Sequence, residues 1–517
     1  MLHSKNKSGP VVLISKDIQY TFPFGYAYIA GYLKQQGEDV KVLFRPENPA
    51  LYKRFVQEII DLKPLVVGFG TIYPDLYEVE RLIKILDKEG RDFPVVIGGQ
   101  MVTPTPEFAV EVTGVDYGII GEGEIIFHEL VTALRNNESP LSVKGLVVRD
   151  GQEITTTGTG NYIHNLSEIP PIPYELFPSE KWLNVGRFYT DLSQPHWHYN
   201  DRVIPIHGGR GCPFTCNFCY HHSKPRYRSI ENMITEADML IKKFNGNMLY
   251  FGDDLVLSSP KRAQDLIQAI AKLNYKIDYS VSCRFDILNR IDDETLKEMK
   301  RTGCRIMGLG IESGSQRILD IMNKKITVDE IISGLRRLKD VGILPTVSIM
   351  VGQYTETMED AQQSMDLMLK TLRYNKNIQY AFTIATPFPG SELYDIALQK
   401  GLLKDHYDFY KRFDSVKQMS QVSVNLSDMS NEEVEFMRKK LESTYIQERN
   451  KIIGSNVVKV ENLRKTVKIA DSKIRRRIFN KTDKGFAKLL KEAYVKLYDF
   501  IQINLDKLRL KLLGLDY

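Results

Sequence analysis

Short apolar runs recur along the first 137 residues, each followed by a stretch whose apolar positions repeat every third or fourth residue. Val11–Ile14, Val40–Phe44, Leu65–Gly70, Val95–Gly98 and Tyr117–Ile120 predict strands. Tyr26, Ile29, Ala30 and Leu33 share one helix face, and Gly37 supplies the stop. Strands alternating with helices predict an α/β fold built on a doubly wound parallel sheet, which takes ligands beyond the carboxyl ends of its strands. Residues 138–195 break the rhythm. Gly145–Val148 and Glu153–Thr157 around Asp150-Gly151 predict a hairpin, and Pro170, Pro171 and Pro173 a stiff linker.

A second alternation fills residues 196–400. Its strands are Val203–His207, Met248–Gly252, Tyr279–Arg284, Arg305–Ile311, Thr346–Val351 and Gln379–Ala385, with helical stretches such as Ile230–Phe244 and Pro260–Leu273 between them. Six such units predict a partial (βα)6 TIM-like barrel, with its chemistry at the C-terminal strand ends. Residues 401–517 read as helical throughout. In Phe486, Leu490, Ala493, Leu497, Ile501, Leu505, Leu508 and Leu512 they carry one apolar stripe, with Lys488, Lys491, Lys496, Lys507 and Lys511 at other positions and Arg475-Arg476-Arg477 upstream. The stripe predicts a helix packed on the barrel with a solvated basic face. The alternative is a helix lying on an anionic membrane.

Composition places the chain among folded proteins, with 43% hydrophobic and 26% charged residues. The net charge of +5 is uneven: residues 451–517 hold 17 lysines and arginines against 7 acids, and the preceding 450 are mildly acidic. No signal-like leader and no apolar run long enough to span a bilayer stand in the sequence, so cytoplasmic residence, with membrane association through the tail, is the expectation. No nucleic-acid partner is expected.

The 5 cysteines set the chemistry. Cys212, Cys216 and Cys219 fall on one loop, His207-Gly-Gly-Arg-Gly-Cys-Pro-Phe-Thr-Cys-Asn-Phe-Cys-Tyr220, after the first barrel strand. Three thiolates on a tight loop can hold three irons of a cubane cluster and leave the fourth open, with Gly208, Gly209 and Gly211 letting the backbone wrap close. The other site this spacing builds is structural zinc, with His221 or His222 as fourth ligand. Cys283 and Cys304 predict buried thiols.

The loop resembles the signature of the radical S-adenosylmethionine (SAM) superfamily, in which a 4Fe-4S cluster chelates SAM through its open iron. The resemblance implies SAM contacts at Phe218, at Gly252, Asp253 and Asp254 after the second strand, at Ser282 and Arg284 after the third, and at Glu312 after the fourth. It makes Arg284 the partner of the SAM carboxylate. Asp253 and Asp254 could instead bind a divalent cation or cap the next helix. One departure is Gly352-Gln-Tyr-Thr-Glu-Thr357, where relatives carry a Gly-x-Pro-Gly-Glu-Thr turn; Tyr354 and Phe388 hint at an apolar pocket.

The preceding sheet looks like the cobalamin-binding domain of the B12-dependent subfamily. Thr71 and Tyr73, Gly98, Gly99, Gln100 and Thr103, and Gly121, Glu122 and Gly123 mark the rim where the corrin would lie. Gln19 occupies the place of the histidine that ligates cobalt in other cobalamin domains, so a cobalt without a protein histidine is implied. Together these imply reductive cleavage of SAM to methionine and a 5′-deoxyadenosyl radical, hydrogen abstraction, and methylation of an unactivated carbon in a small or lipid-like substrate. An electron donor such as flavodoxin or ferredoxin would feed the cluster. The rival readings are radical cyclisation, oxidation or rearrangement without methyl transfer, and a non-catalytic cobalamin or zinc module.

Overall fold

The computed structural model describes residues 6–16, 22–184, 196–221, 223–414, 420–478 and 486–515. Two mostly parallel sheets dominate it. The first comprises β1 (Val11–Lys16), β2 (Val40–Arg45), β3 (Val66–Gly70), β4 (Val95–Gly98), β5 (Tyr117–Ile119), β6 (Leu146–Asp150) and β7 (Glu153–Thr156), in the order 2-1-3-4-5-6-7. Its first five strands are parallel and follow the flavodoxin-like order, with the switch point between β1 and β3. Alternate residues of β1 serve opposite faces. Val11 and Leu13 join the core under helices Phe24–Gln35 and Gly123–Asn136, while Val12 and Ile14 join the core under Tyr52–Asp61, Tyr73–Lys88 and Pro106–Thr113. Burial on both faces is why these strands read as unbroken apolar runs. The hairpin β6–β7 adds to this sheet antiparallel to β5, with Tyr117 opposite Val148.

The second sheet runs β8 (Val203–Ile206), β11 (Met248–Phe251), β12 (Asp278–Cys283), β13 (Cys304–Glu312), β14 (Leu344–Val351) and β15 (Gln379–Ile384), every neighbour parallel. It is the six-stranded partial barrel. Between β8 and β11 lies a two-residue antiparallel ladder, β9 (Gly209–Arg210) with β10 (Arg226–Tyr227). That ladder makes the cysteine loop the tip of a small hairpin. Local sequence starts the helices between the strands. Ser229 and Ser259 cap theirs, Pro260 follows at the first helical position, and Thr327 and Thr357 form capping boxes with Glu330 and Asp360. Because Ser259 provides the cap, the Asp253-Asp254 pair does not. Cys283 and Cys304 are buried.

The C-terminal region is helical, with Asn431–Ile453 crossing β15 and Ser455–Ile478 paired with Phe486–Leu513. No described helix is long and apolar enough to cross a membrane. The last helix corrects the expectation that its apolar stripe packs inward. Its buried face carries charge: Gln502, Asp506 and Arg509 are inside beside Tyr498, Leu510 and Leu513, while Leu497, Leu508 and Leu512 face outward. Asp506 pairs with Arg464 at 3.0 Å and Arg509 at 2.6 Å and accepts the Tyr199 N–H at 2.8 Å. Burial pulls the Arg509 guanidinium down to about 10. Segment 196–201, clamped this way, floors the barrel, where the His196 ring spans Thr346 and the Asn377 carbonyl. Ion pairs, together with buried Leu510 and Leu513, hold the helix there. Asp506→Ala therefore leaves two buried arginines without their shared carboxylate, a loss of about 3–5 kcal/mol. Hydrogen exchange should accelerate across 493–513 and 196–201 and stay unchanged in β1 to β5; Asp506→Asn should show a smaller effect.

Candidate functional site

The cysteine loop is fixed at its base by backbone and side-chain hydrogen bonds. Buried Asp253, at the end of β11, accepts the Gly208 and Gly209 N–H groups at 2.6 and 2.7 Å on one oxygen. Its other oxygen has no protein partner, and burial pushes its carboxyl up to about 6. Gly211 has φ +75°, and a Cβ there would strike the Ser223 carbonyl. On the far side Asn217 donates its N–H to Met322 O at 3.1 Å and its side-chain amide to Ile321 O at 2.9 Å, while Asn323 bonds Thr215. Met233 fills the space above Gly208. The loop is thus shaped before any ligand arrives.

Cys216 is buried, Cys212 half-buried and Cys219 exposed. Desolvation and the neighbouring thiols push the Cys212 and Cys219 thiols up, with Lys324 opposing the shift at Cys219. Cys216 contributes to both shifts, and among the described residues no three histidine, cysteine or acidic side chains close on a point for a single ion. His222, one of the two ligands the zinc reading calls on, lies outside the described residues.

Arg284 is held by several protein groups. Its guanidinium donates to Asp286 at 2.9 Å, to the Lys324 carbonyl and to Cys216 Sγ at 3.6 Å, and lies over the Phe214 ring at 3.6 Å. Three of its five N–H donors are thus engaged by protein, one of them on the Cys216 sulfur. Ser282 likewise accepts the Val256 N–H at 3.0 Å. Glu312 has φ +66° at the end of β13, where the β13–β14 register shifts. Lys324 pairs with it at 3.1 Å and Ser348 donates to it at 3.0 Å; a side chain at Gly310 would fall on this pair. A non-glycine residue in that region costs of order 1–3 kcal/mol and persists where function constrains it. The Lys324 ammonium sits 5.5 Å from the Phe218 ring centroid, so Glu312, Lys324 and Phe218 form one charged and aromatic corner beside Cys219. Lys324 carries no motif, and sequence reading passed over it.

A cavity of about 640 Å³ separates the two sets of strand ends. Thr71, Gly98, Gly99, Gln100, Thr103, Gly121, Glu122 and Gly123 line one side, and His207, Arg210, Gly252 and Asp254 the other. Tyr73 begins the helix after β3. Gln19 lies outside the described residues. Gly99 has φ +105°, and a Cβ there would lie 2.5 Å from Thr71 O, while Gly121 N–H bonds Thr103 Oγ1 at 2.9 Å. Phe24, Tyr26 and Tyr28 form an aromatic flank, with the Phe24 ring 5.1 Å from that of His207. The volume lies within the usual range of about 300–1,000 Å³ for small-molecule sites.

Charge ties the two sides together. Arg210, two residues before Cys212, pairs with Glu122 and, at 2.5 Å, with Glu124; Arg226 also pairs with Glu122 and lies over the Tyr162 ring at 4.7 Å. The two carboxylates hold the Arg210 guanidinium above its ordinary range despite burial. Glu122, expected at the corrin, thus has its carboxylate engaged by two arginines. Tyr354 and Phe388 pack into apolar core, the latter against Phe409 and Phe413, and do not line the cavity. In the divergent turn Glu356 accepts the Gly352 and Gln353 N–H groups, closing it without the proline.

Gly211→Ala should lower bound iron and sulfide after anaerobic reconstitution to the level of Cys212→Ala, with far-ultraviolet circular dichroism unchanged. Gly37→Ala, also at positive φ but facing open space, should keep its iron.

Comparison with known proteins agrees with this geometry. Residues 206–368 match the Radical SAM superfamily and residues 10–131 the B12 binding domain. An uncharacterized methyltransferase of Pyrococcus horikoshii is 30% identical over 390 residues, 74% of this chain and 79% of the relative. The anaerobic magnesium-protoporphyrin IX monomethyl ester cyclase of Rubrivivax gelatinosus is 27% identical over 400 residues, 75% and 68% of the two chains. Among solved structures, the cobalamin-dependent S-adenosylmethionine radical enzyme OxsB, with aqua-cobalamin and S-adenosylmethionine bound, aligns over 98% of this chain and 79% of its own at TM-score 0.64 and 14% identity, a likeness of fold. With both family matches in place on either side of one cavity, the chain belongs to the cobalamin-binding branch of the radical SAM superfamily, enzymes of the 4Fe-4S cluster, SAM and cobalamin.

Proposed function

We propose that the chain is a cobalamin-dependent radical SAM methyltransferase that acts on an unactivated carbon of a small, apolar or lipid-like molecule. The observation that carries this is the single cavity bounded by the glycine rim of the first sheet and the strand ends beside the cysteine loop. When bound, the cluster supplies the electron that cleaves SAM and cobalamin supplies the methyl group; the protein's part is placement and exclusion of water.

In this reading Cys212, Cys216 and Cys219 hold the cluster. Gly252 and Asp254 give SAM its edge on the cavity, and Phe218 with the Glu312–Lys324 pair forms its charged and aromatic end. Asp253, Ser282 and Arg284 act behind them: Asp253 fixes the Gly208-Gly209 backbone, Ser282 holds the Val256 amide, and Arg284 orients Cys216. Thr71, Gly98, Gly99, Gln100, Thr103, Gly121 and Gly123 leave a low backbone rim against which a flat macrocycle can lie. The apolar flank of Phe24, Tyr26 and Tyr28 supports an apolar substrate, and an electron donor of the flavodoxin or ferredoxin type completes the set of partners. The cyclase relative supports a second reading, radical chemistry on the same site without methyl transfer.

The test is anaerobic reconstitution with iron, sulfide and hydroxocobalamin, followed by reduction in the presence of SAM. Methyl transfer predicts 5′-deoxyadenosine together with S-adenosylhomocysteine whose formation depends on added cobalamin, and Cys212→Ala should abolish the 5′-deoxyadenosine. Production of 5′-deoxyadenosine with no cobalamin-dependent S-adenosylhomocysteine would favour the second reading.

A further inference from the structure

The last helix, Phe486–Leu513, turns its charges the opposite way from an ordinary surface helix. Two of its acids face the protein: Asp499 accepts from Tyr199 at 3.0 Å, and Asp506 lies between Arg464 and Arg509. The outward face holds Leu497, Phe500, Leu508 and Leu512, which are 57, 66, 45 and 38% exposed. Lys496, Lys507 and Lys511 are exposed among them. Single exposed leucines are normal on any protein. Four large apolar side chains along about 22 Å of one helix, interleaved with lysines while Asp499 and Asp506 turn to the other side, are not.

We propose that this face docks on the surface of an anionic lipid bilayer. The apolar residues match the depth that interfacial helices bury, and the lysines match the phosphate headgroups. The surrounding segment agrees in sign, since residues 451–517 carry 17 basic against 7 acidic residues. A second copy of the chain is the poorer occupant, because a two-fold contact would set lysines against lysines with no carboxylate to answer them. The inner face explains how the outer one is spared: Asp506, Arg464 and Arg509, with Tyr498, Leu510 and Leu513 beside them, hold the helix in place, so Leu497 and Phe500 are not needed for the core. Docking places the floor of the barrel toward the lipid and leaves the cofactor cavity, at the opposite strand ends, facing away.

The experiment is flotation of the full chain with vesicles of phosphatidylcholine alone or mixed with phosphatidylglycerol. The wild type should bind the anionic vesicles about tenfold or more tightly than the neutral ones, and binding should weaken as salt rises. Phe500→Glu with Leu508→Glu should abolish binding, and Lys496→Gln, Lys507→Gln and Lys511→Gln together should remove the anionic preference. Both variants should keep the wild-type melting temperature and SAM cleavage, because these side chains touch neither. No binding by the wild type, binding that the variants retain, or a dimer in light scattering that Phe500→Glu with Leu508→Glu dissociates would overturn the proposal. None of these outcomes depends on the cofactor chemistry.

Discussion

The placement of the site depends on one buried exchange of charge, Arg210 with Glu122 and Glu124. Arg210 belongs to the two-residue ladder beneath the cysteine loop, and the two acids open the helix after β5. Taking three charges out of water is costly, and only close, well-directed partners recover the loss. The arrangement therefore tolerates little sliding: moving the first sheet by a few ångströms would strand a carboxylate. Apolar packing alone, as between Phe24, Tyr28 and His207, would hold the two bodies together without fixing their register. The ion pairs supply the register, and with it the distance between the glycine rim and the cysteine loop.

A second layer of polar contacts does for the loop what this network does for the sheets. Asp253, Asn323 and Arg284 direct hydrogen bonds to the loop's backbone or to the Cys216 sulfur, and Asn217 ties the loop to Ile321. Their combined effect is to have the three cysteines arranged in advance, so that little chain entropy remains to be lost when a ligand is taken up. Glu312 in its left-handed conformation belongs to the same scheme, held there by Lys324 and Ser348.

Much of this was legible in the sequence where a local rule governs. Strands buried on both faces leave apolar runs, so β1 to β5 and the six barrel strands were read to within a residue or two. The cysteine spacing and the glycines beside it named the loop, because few structures need three thiols so close. What failed was everything set by a distant partner. The acid at Asp253 and the base at Arg284 were found, but their hydrogen-bond partners shape what they face, and all but Asp286 of those partners lie 40 to 68 residues away. Arg210 stood in the motif itself, yet its role exists only through Glu122 and Glu124. The tail shows the same limit. Periodicity revealed an apolar stripe without revealing that the polar side of the helix is the one the barrel covers.

The Asp506–Tyr199 bond joins positions 307 residues apart in the chain. On the ribosome, the strands of the barrel emerge long before the helix that secures the segment beneath them. The sheet must therefore wait with an unfinished lower end, its buried arginine and histidines at Arg305, His196 and His198 reachable by water, until the final helix arrives to seal it. Assembly of this protein is in that sense closed from below and closed late, and the interval is the period in which the nascent barrel is most open to chaperones and to aggregation.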